Sequence, residues 1–189
     1  SPLGGKFEIE GNVSTPANVV VSRTSGHVFS LSGASVMASL KGVIVSVSSS
    51  YGSGVYVSGK GVSLSISSMN FGATVDAKIW VDGGASVSAT GTFAATGNSE
   101  AFIRTSGVGS FFICTSATIT VTGTPAFSAA FSLAYTLSNI KFYTTTFSGP
   151  ATGVRYNASG NSIIDTSGGG SSYFPGGTAG TTSSGGQYL

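Results

Sequence analysis

Val55-Tyr56-Val57-Ser58-Gly59, Ala77-Lys78-Ile79-Trp80-Val81-Asp82-Gly83 and Ala101-Phe102-Ile103-Arg104-Thr105-Ser106-Gly107 are three β-rich runs, each closed by a glycine. Gly59, Gly83 and Gly107 are evenly spaced. Behind each glycine comes a second run: Val62-Ser63-Leu64-Ser65-Ile66, then Ala85-Ser86-Val87-Ser88-Ala89, then Phe111-Phe112-Ile113-Cys114. A fixed period of this size marks a solenoid, in which each repeat is one structural unit stacked on the last. The spacing loosens outside this window. Gly33 stands slightly further from Gly59 than Gly59 does from Gly83, and Gly160 lies two longer periods after Gly107. The reading is an all-β protein: a right-handed parallel β-helix or related β-solenoid with rungs of roughly 24 residues.

Composition agrees. Only 7% of the 189 residues are charged, against about 25% in ordinary soluble proteins. Glycines number 29, Ser and Thr are abundant, and the good helix formers are scarce. Hydroxyls must therefore solvate the outer surface. The net charge is +2, with no basic run and no basic-aromatic cluster, which argues against nucleic-acid binding. No apolar stretch approaches the ~20 residues of a spanning helix, so no membrane insertion is expected. The start, Ser1-Pro2-Leu3-Gly4-Gly5, has neither Met nor a secretory apolar stretch, and reads as a cut site or a piece of a longer protein. Cys114 is the only cysteine; in its Phe-Phe-Ile-Cys-Thr setting it reads as a small core residue.

Three regions follow. Residues 1–26 hold short N-terminal strands, Phe7-Glu8-Ile9-Glu10 and Val19-Val20-Val21. Residues 27–148 form the solenoid body. There Val43, Val45 and Val47 alternate with Ile44, Ser46 and Ser48, and Val62, Leu64 and Ile66 alternate with Ser63, Ser65 and Ser67. Ile119 and Val121 do the same against Thr118, Thr120 and Thr122, as do Phe131, Leu133, Tyr135 and Leu137 against Ser132, Ala134, Thr136 and Ser138. Alternation of period two puts one set in the core and the other in solvent. The inward set is expected to include Val62, Leu64, Ile66, Ile79, Val81, Ile113, Ile119, Val121, Leu133 and Leu137. Residues 149–189 are a Gly/Ser-rich segment whose Tyr173-Phe174-Pro175-Gly176 core is expected to pack on another surface, such as a neighbouring chain. A stack of turns has two open ends, and no amphipathic capping helix is visible. A homotrimer with residues 149–189 at subunit contacts would cover those edges.

The stretch Phe147-Ser148-Gly149-Pro150-Ala151-Thr152-Gly153-Val154-Arg155-Tyr156-Asn157, with Ile163-Ile164-Asp165-Thr166-Ser167-Gly168-Gly169-Gly170, Tyr173-Phe174-Pro175-Gly176 and Gly180-Thr181-Thr182, resembles the carboxyl ends of bacteriophage and prophage tail and appendage proteins. The upstream repeats are similar in style to β-helical tail fibres and tailspikes. The resemblance implies an extracellular, virion-borne homotrimer. Its partners would be other tail proteins and a receptor or glycan on the host surface. It carries over no catalytic residue. The alternatives are a polysaccharide-depolymerising tailspike fragment and a bacterial β-helical surface adhesin.

The residues give little support for chemistry. His27 is the only histidine, just after a glycine at the start of a strand, and reads as a surface or turn residue rather than part of a triad. One His and one Cys do not make a zinc site, and no Asp-rich loop marks a calcium site, so neither metal nor other cofactor is expected. Glycoside cleavage needs two carboxyls about 5–10 Å apart. Glu8 and Glu10 lie roughly 6.6 Å apart along one strand face but read as solvated charges. Asp76 and Asp82 would stand about 20 Å apart on one strand. Asp82 and Glu100 approach only across rungs, so hydrolysis is disfavoured rather than excluded. The most suggestive patch is the strand from Val75 to Asp82. With Val75, Ala77, Ile79 and Val81 inward, Asp76, Lys78, Trp80 and Asp82 face out. An exposed indole between charges is a platform for a sugar ring, and Tyr56 and Arg104 fall one rung before and after it. The competing reading is that Trp80 packs on a subunit or loop. Ser63/Ser65/Ser67, Ser86/Ser88/Thr90 and Thr118/Thr120/Thr122 suggest one outer hydroxyl ladder. Ice-binding solenoids use such faces, but this one is irregular and reads as ordinary solvation.

Overall fold

A computed structural model describes residues 6–189 of the chain as a parallel β-solenoid. In one sheet, strands Lys6–Glu10, Met37–Lys41, Ser63–Phe71, Ser86–Ala95, Phe111–Val121, Asn139–Tyr143, Ile163–Asp165 and Gln187–Tyr188 stack in that order. In the other, Phe29–Ser32, Val55–Ser58, Ala77–Asp82, Ser99–Thr105, Ala126–Ala134, Tyr156–Ala158 and Thr181–Thr182 do the same. Every one of these pairings is parallel. Among the described residues there is no α-helix, only a short 3₁₀ turn at Pro16–Asn18.

The first sheet is folded along its length. Gly42, Ser68, Gly91, Ser116, Thr144 and Ser167 interrupt it with positive φ, between 48° and 85°. The pairing register slips at the same place, between Ser67 and Met69 and between Thr115 and Ala117. A left-handed residue turns an extended chain sharply, so this column is a corner. It divides the sheet into two faces, and with the second sheet each rung has three. The sequence's glycine column is a second corner. A Cβ on Gly107 would lie 2.9 Å from the Gly83 nitrogen, and one on Gly59 would strike the Gly33 carbonyl oxygen. Only glycine allows rungs to close on one another there.

The rung is longer than the glycine spacing. Seven register steps carry position 6 to position 187, a mean of about 26 residues per rung. In the second sheet Val55, Ile79 and Ile103 follow one another at the glycine interval, but the step from Ile103 to its partner Ser132 is longer. The extra residues enter at the turns around Ala126–Ala134, where Thr124 and Thr136 take positive φ.

The interior is mostly as alternation requires. Val62, Leu64, Ile66, Ile79, Val81, Ile119 and Val121 are buried. Four expectations are corrected. Ile113 is on the outer side of its strand, because Phe112 and Cys114 take the inward positions. Leu137 is 50% exposed, in a left-handed turn at φ 57°. Leu133 is buried, but in a small satellite cluster with Ala77, Ala101 and Ala130, while Ser132 takes the Ile79–Ile103 column. Val75 is exposed. Through the upper rungs runs an aromatic spine that the alternation did not reveal. Phe102 stacks on Phe131 at 4.9 Å, and Phe131 stacks on Phe174 at 5.6 Å.

The chain's two ends belong to the same stack. Lys6–Glu10 and Val20–Arg23 pair with Met37–Lys41 and Ile44–Val47, so residues 6–26 form the first rung; residues 1–5 lie outside the described residues. Residues 149–189 continue the solenoid through strands paired with those before them. Their aromatic turn packs on this chain's own core rather than only outward. Phe174 is 1% exposed, and the Tyr173 hydroxyl donates to the Thr145 carbonyl at 2.8 Å.

Lys78 is the largest departure from alternation. It and Ile79 are consecutive yet both buried, and Lys78 has no exposed surface. Its ammonium donates to the carbonyls of Gly72, Thr96 and Gly97 at 2.8, 3.1 and 3.0 Å. These carbonyls belong to the crossings of two successive rungs, so one side chain ties the rungs together where the strand ladder is interrupted. Burial pushes its pKa down to about 7. Three acceptors facing three donors is nonetheless the geometry of the charged form. Lys78→Met is expected to strand three carbonyls and to lower stability by on the order of 3 kcal/mol. Urea unfolding should show a lower midpoint for Lys78→Met and an unchanged one for Lys60→Met on the exposed turn.

Candidate functional site

Parallel, in-register rungs place like positions about 4.8 Å apart, so outward side chains form columns. On the outside of the second sheet Tyr56 lies opposite Trp80, and Trp80 opposite Arg104. Their side chains stack into a ladder. His27 lies flat on Tyr56 with centroids 4.3 Å apart, and Tyr56 meets Trp80 edge-on at 5.1 Å. The Arg104 guanidinium sits 4.1 Å from the Trp80 ring centre and 5.9 Å from that of Tyr135. The ladder thus runs His27, Tyr56, Trp80, Arg104, Tyr135 along the solenoid axis. Cation–π contacts of this kind contribute about 0.5–2 kcal/mol each.

Polar partners hold it rigid. The Trp80 indole N–H donates to the Ser106 hydroxyl at 3.0 Å, and Ser106 donates to Asp82 at 2.8 Å. The Tyr56 hydroxyl donates to the other Asp82 oxygen at 3.4 Å. Glu100 pairs with Arg104 at 2.9 Å. Asp76 accepts the Gly52 backbone N–H at 2.9 Å.

Of the residues singled out in the sequence, Trp80, Tyr56, Arg104 and Asp82 come together, and Asp76 lies near enough to His27 to raise its pKa by charge. Lys78 does not join them: it is inside, holding carbonyls. Trp80 is also not an open platform. It is half-buried, with a guanidinium on the ring and Tyr56 at its side. His27, Ser106, Glu100 and Tyr135 complete the patch and were not assigned to it from the sequence. For Tyr135 the signal was the lengthened step, which moves Leu133 onto the Arg104 column and Tyr135 outward with it.

The groups of the chain that could do acid–base or metal chemistry are placed as follows. All six acids have partners within the chain. Lys41 bridges Glu8 and Glu10 at 3.1 and 3.0 Å, and Lys141 holds Asp165 at 2.9 Å. Asp76, Asp82 and Glu100 serve the ladder and its turns. Burial pushes the Cys114 thiol up to about 11, which keeps it from acting as a thiolate. Among the described residues no three His, Cys, Asp or Glu side chains converge as a metal set would. The expected hydroxyl ladder divides between two faces. Ser63, Ser65 and Ser67 pair with Ser86, Ser88 and Thr90, whereas Thr118 pairs with Thr92 and Thr146 across the corner.

No protein-family model matches the chain, and neither a curated protein nor a solved structure matches it.

The histidine gives the ladder a pH dependence. Desolvation lowers the His27 pKa, Asp76 opposes this, and Arg23 adds to it. Its Nδ1 accepts the Ser53 N–H at 3.0 Å, which needs an unprotonated nitrogen. Unfolded histidine takes up its proton near pH 6.5, folded His27 only below that. The neutral ring's contribution is therefore fully present above about pH 6.5 and is lost as the pH falls through the lower folded value. An NMR titration of His27 should show a midpoint below that of a free histidine peptide. A midpoint at or above it would mean that the ring is not held as described.

Proposed function

We propose that this chain is a segment of a virion tail fibre or spike that contacts a glycan on the host cell surface without cleaving it. The observation that carries the reading is the outward ladder of His27, Tyr56, Trp80, Arg104 and Tyr135. Aromatic edges with fixed hydrogen-bonding groups are what recognition of a hydroxyl-rich, partly apolar sugar chain uses. A ladder along the axis presents several such groups in a row to an extended polymer. The sugar lies across the ladder's outer edges, since the ring of Trp80 is already covered by Arg104. The resemblance of the carboxyl-terminal stretch to phage appendages supports the placement on a virion.

The working form in this proposal is a homotrimer. The first rung supports it: Phe7 is 60% exposed beside the partly covered Ile9, Phe29 and Leu31, around a hollow of about 70 Å³ at the open end of the core. Weak contacts repeated on three chains of one particle would act through avidity. The competing depolymerase reading has one point in its favour. The Glu100 N–H donates to the Asp76 carbonyl at 3.1 Å, so these acids sit on neighbouring rungs.

Tyr56→Ala and Trp80→Ala are each expected to reduce adsorption of particles to host cells severalfold while native mass stays trimeric. Normal adsorption by both variants would remove the ladder as the receptor site. A stable monomer at micromolar concentration would remove the trimer. Release of oligosaccharides from host polysaccharide by the unaltered protein would favour the depolymerase, with Asp76, Asp82 and Glu100 the first acids to replace.

A further inference from the structure

Arg155 differs from the other two arginines. Arg23 donates to the His27 carbonyl, and Arg104 is tied to Glu100. Arg155 makes no side-chain hydrogen bond or ion pair among the described residues. The six acids of the chain each engage a partner elsewhere.

This arginine lines a cleft of about 390 Å³, together with Phe147, Pro150, Tyr173, Pro175 and Gly176. The volume falls within the range of small-ligand sites, about 300–1,000 Å³, and admits a single sugar ring. The hollow at the amino-terminal end, about 70 Å³, does not. The cleft is built by the fold. Phe174 anchors the 172–176 segment in the core, and its ring packs on Phe147 and Phe142 at 5.6 and 5.1 Å. Tyr173 is fixed by its bond to the Thr145 carbonyl. Gly176, at φ 156°, brings the turn against the arginine's stem, where an added Cβ would lie 3.0 Å from the Arg155 Cγ. The stem is thus held while the guanidinium stays uncommitted.

The geometry points to a second binding site here, for a carboxylate-bearing sugar of the surface polysaccharide. A planar guanidinium pairs with a carboxylate through two parallel hydrogen bonds. Tyr173 and Pro175 line the same cleft, whose exposed lining is mostly polar and so suits a hydroxyl-bearing ring. The inference deepens the proposed glycan contact and rests on that reading, but it occupies a different place. In the register of the second sheet, Trp80 faces Arg104, Arg104 faces Leu133, and Leu133 faces Asn157, just past Arg155. The two sites are therefore about 14 Å apart along the axis, three rung spacings.

The test uses the full chain, with glucuronate, glucose and inorganic phosphate as separate probes. Glucuronate is expected to shift the Tyr173 ring resonances of the unaltered protein and to saturate in the millimolar range, while glucose leaves them in place. Arg155→Met should weaken glucuronate at least about tenfold, Arg155→Lys less, and Trp80→Ala not at all. Absence of any glucuronate shift in the unaltered protein overturns the site, and so does equal binding by a folded Arg155→Met. Phosphate that binds as tightly as glucuronate reduces the cleft to a bare anion site and overturns the sugar assignment. Loss of adsorption in Trp80→Ala with glucuronate binding intact supports the ladder and the cleft as separate sites, so failure of one reading is distinguishable from failure of the other.

Discussion

Parallel, in-register pairing is the constraint on which everything else in this molecule depends. Each rung satisfies the backbone of the rungs above and below it, so a residue's surroundings are decided by its column more than by its neighbours in sequence. To keep that register the chain must turn at the same points on every rung. It does so with left-handed residues, Gly42, Ser68, Gly91, Ser116, Thr144 and Ser167 at one corner and the Gly33, Gly59, Gly83 and Gly107 column at another. Serine and threonine carry a conformational cost there that glycine does not. The hydroxyls offset part of it locally: the Ser116 N–H donates to the Thr144 hydroxyl one rung on, at 3.1 Å.

This explains what could be read from the sequence. The glycine column is a direct image of a corner, and Val43, Val45, Val47, Val62, Leu64 and Ile66 sit where alternation puts them because their strands are straight. Alternation fails where the backbone stops being regular. At Lys78 and Ile79 two successive side chains are buried, and no pattern of apolar residues announces a lysine whose partners are carbonyls. Beyond Gly107 the added residues shift the columns, so Leu133 and Tyr135 fall on the outer side where a constant step would place them otherwise. The aromatic spine was hidden for another reason. Phe71, Phe102, Phe131 and Phe174 meet only in three dimensions, after the rung lengths are known.

The same account holds for the candidate site. Trp80, Tyr56 and Arg104 were legible because they share a column within the window of constant period. His27 was not, since it reaches the ladder from the turn before its own strand and stacks by ring rather than by register. Arg155 carries no local signal, because what distinguishes it is that its side chain has no polar partner among the described residues. That is a property of where six acids end up, and no local pattern encodes it.

The charge distribution also bears on the kind of function the fold suits. A surface with few charges, acids that each have a partner and columns of hydroxyls presents fixed hydrogen-bonding groups. Its ladder is held by Ser106, Asp82 and Glu100, which fix Trp80 and Arg104, so the proposed contact would carry little ordering cost. The consequence of that rigidity is that each contact is shallow, because rings engaged with one another leave only their edges free. A shallow row of sites gains most from a ligand that is itself long and repetitive. Successive units of one chain then meet successive columns, and the second contact forms at the high local concentration set by the first. For the proposed glycan contact, a row of columns along the axis is therefore better matched to a polymer than to a small molecule. That match follows from the stacking constraint, which makes any surface feature of one rung a feature that can extend along the axis.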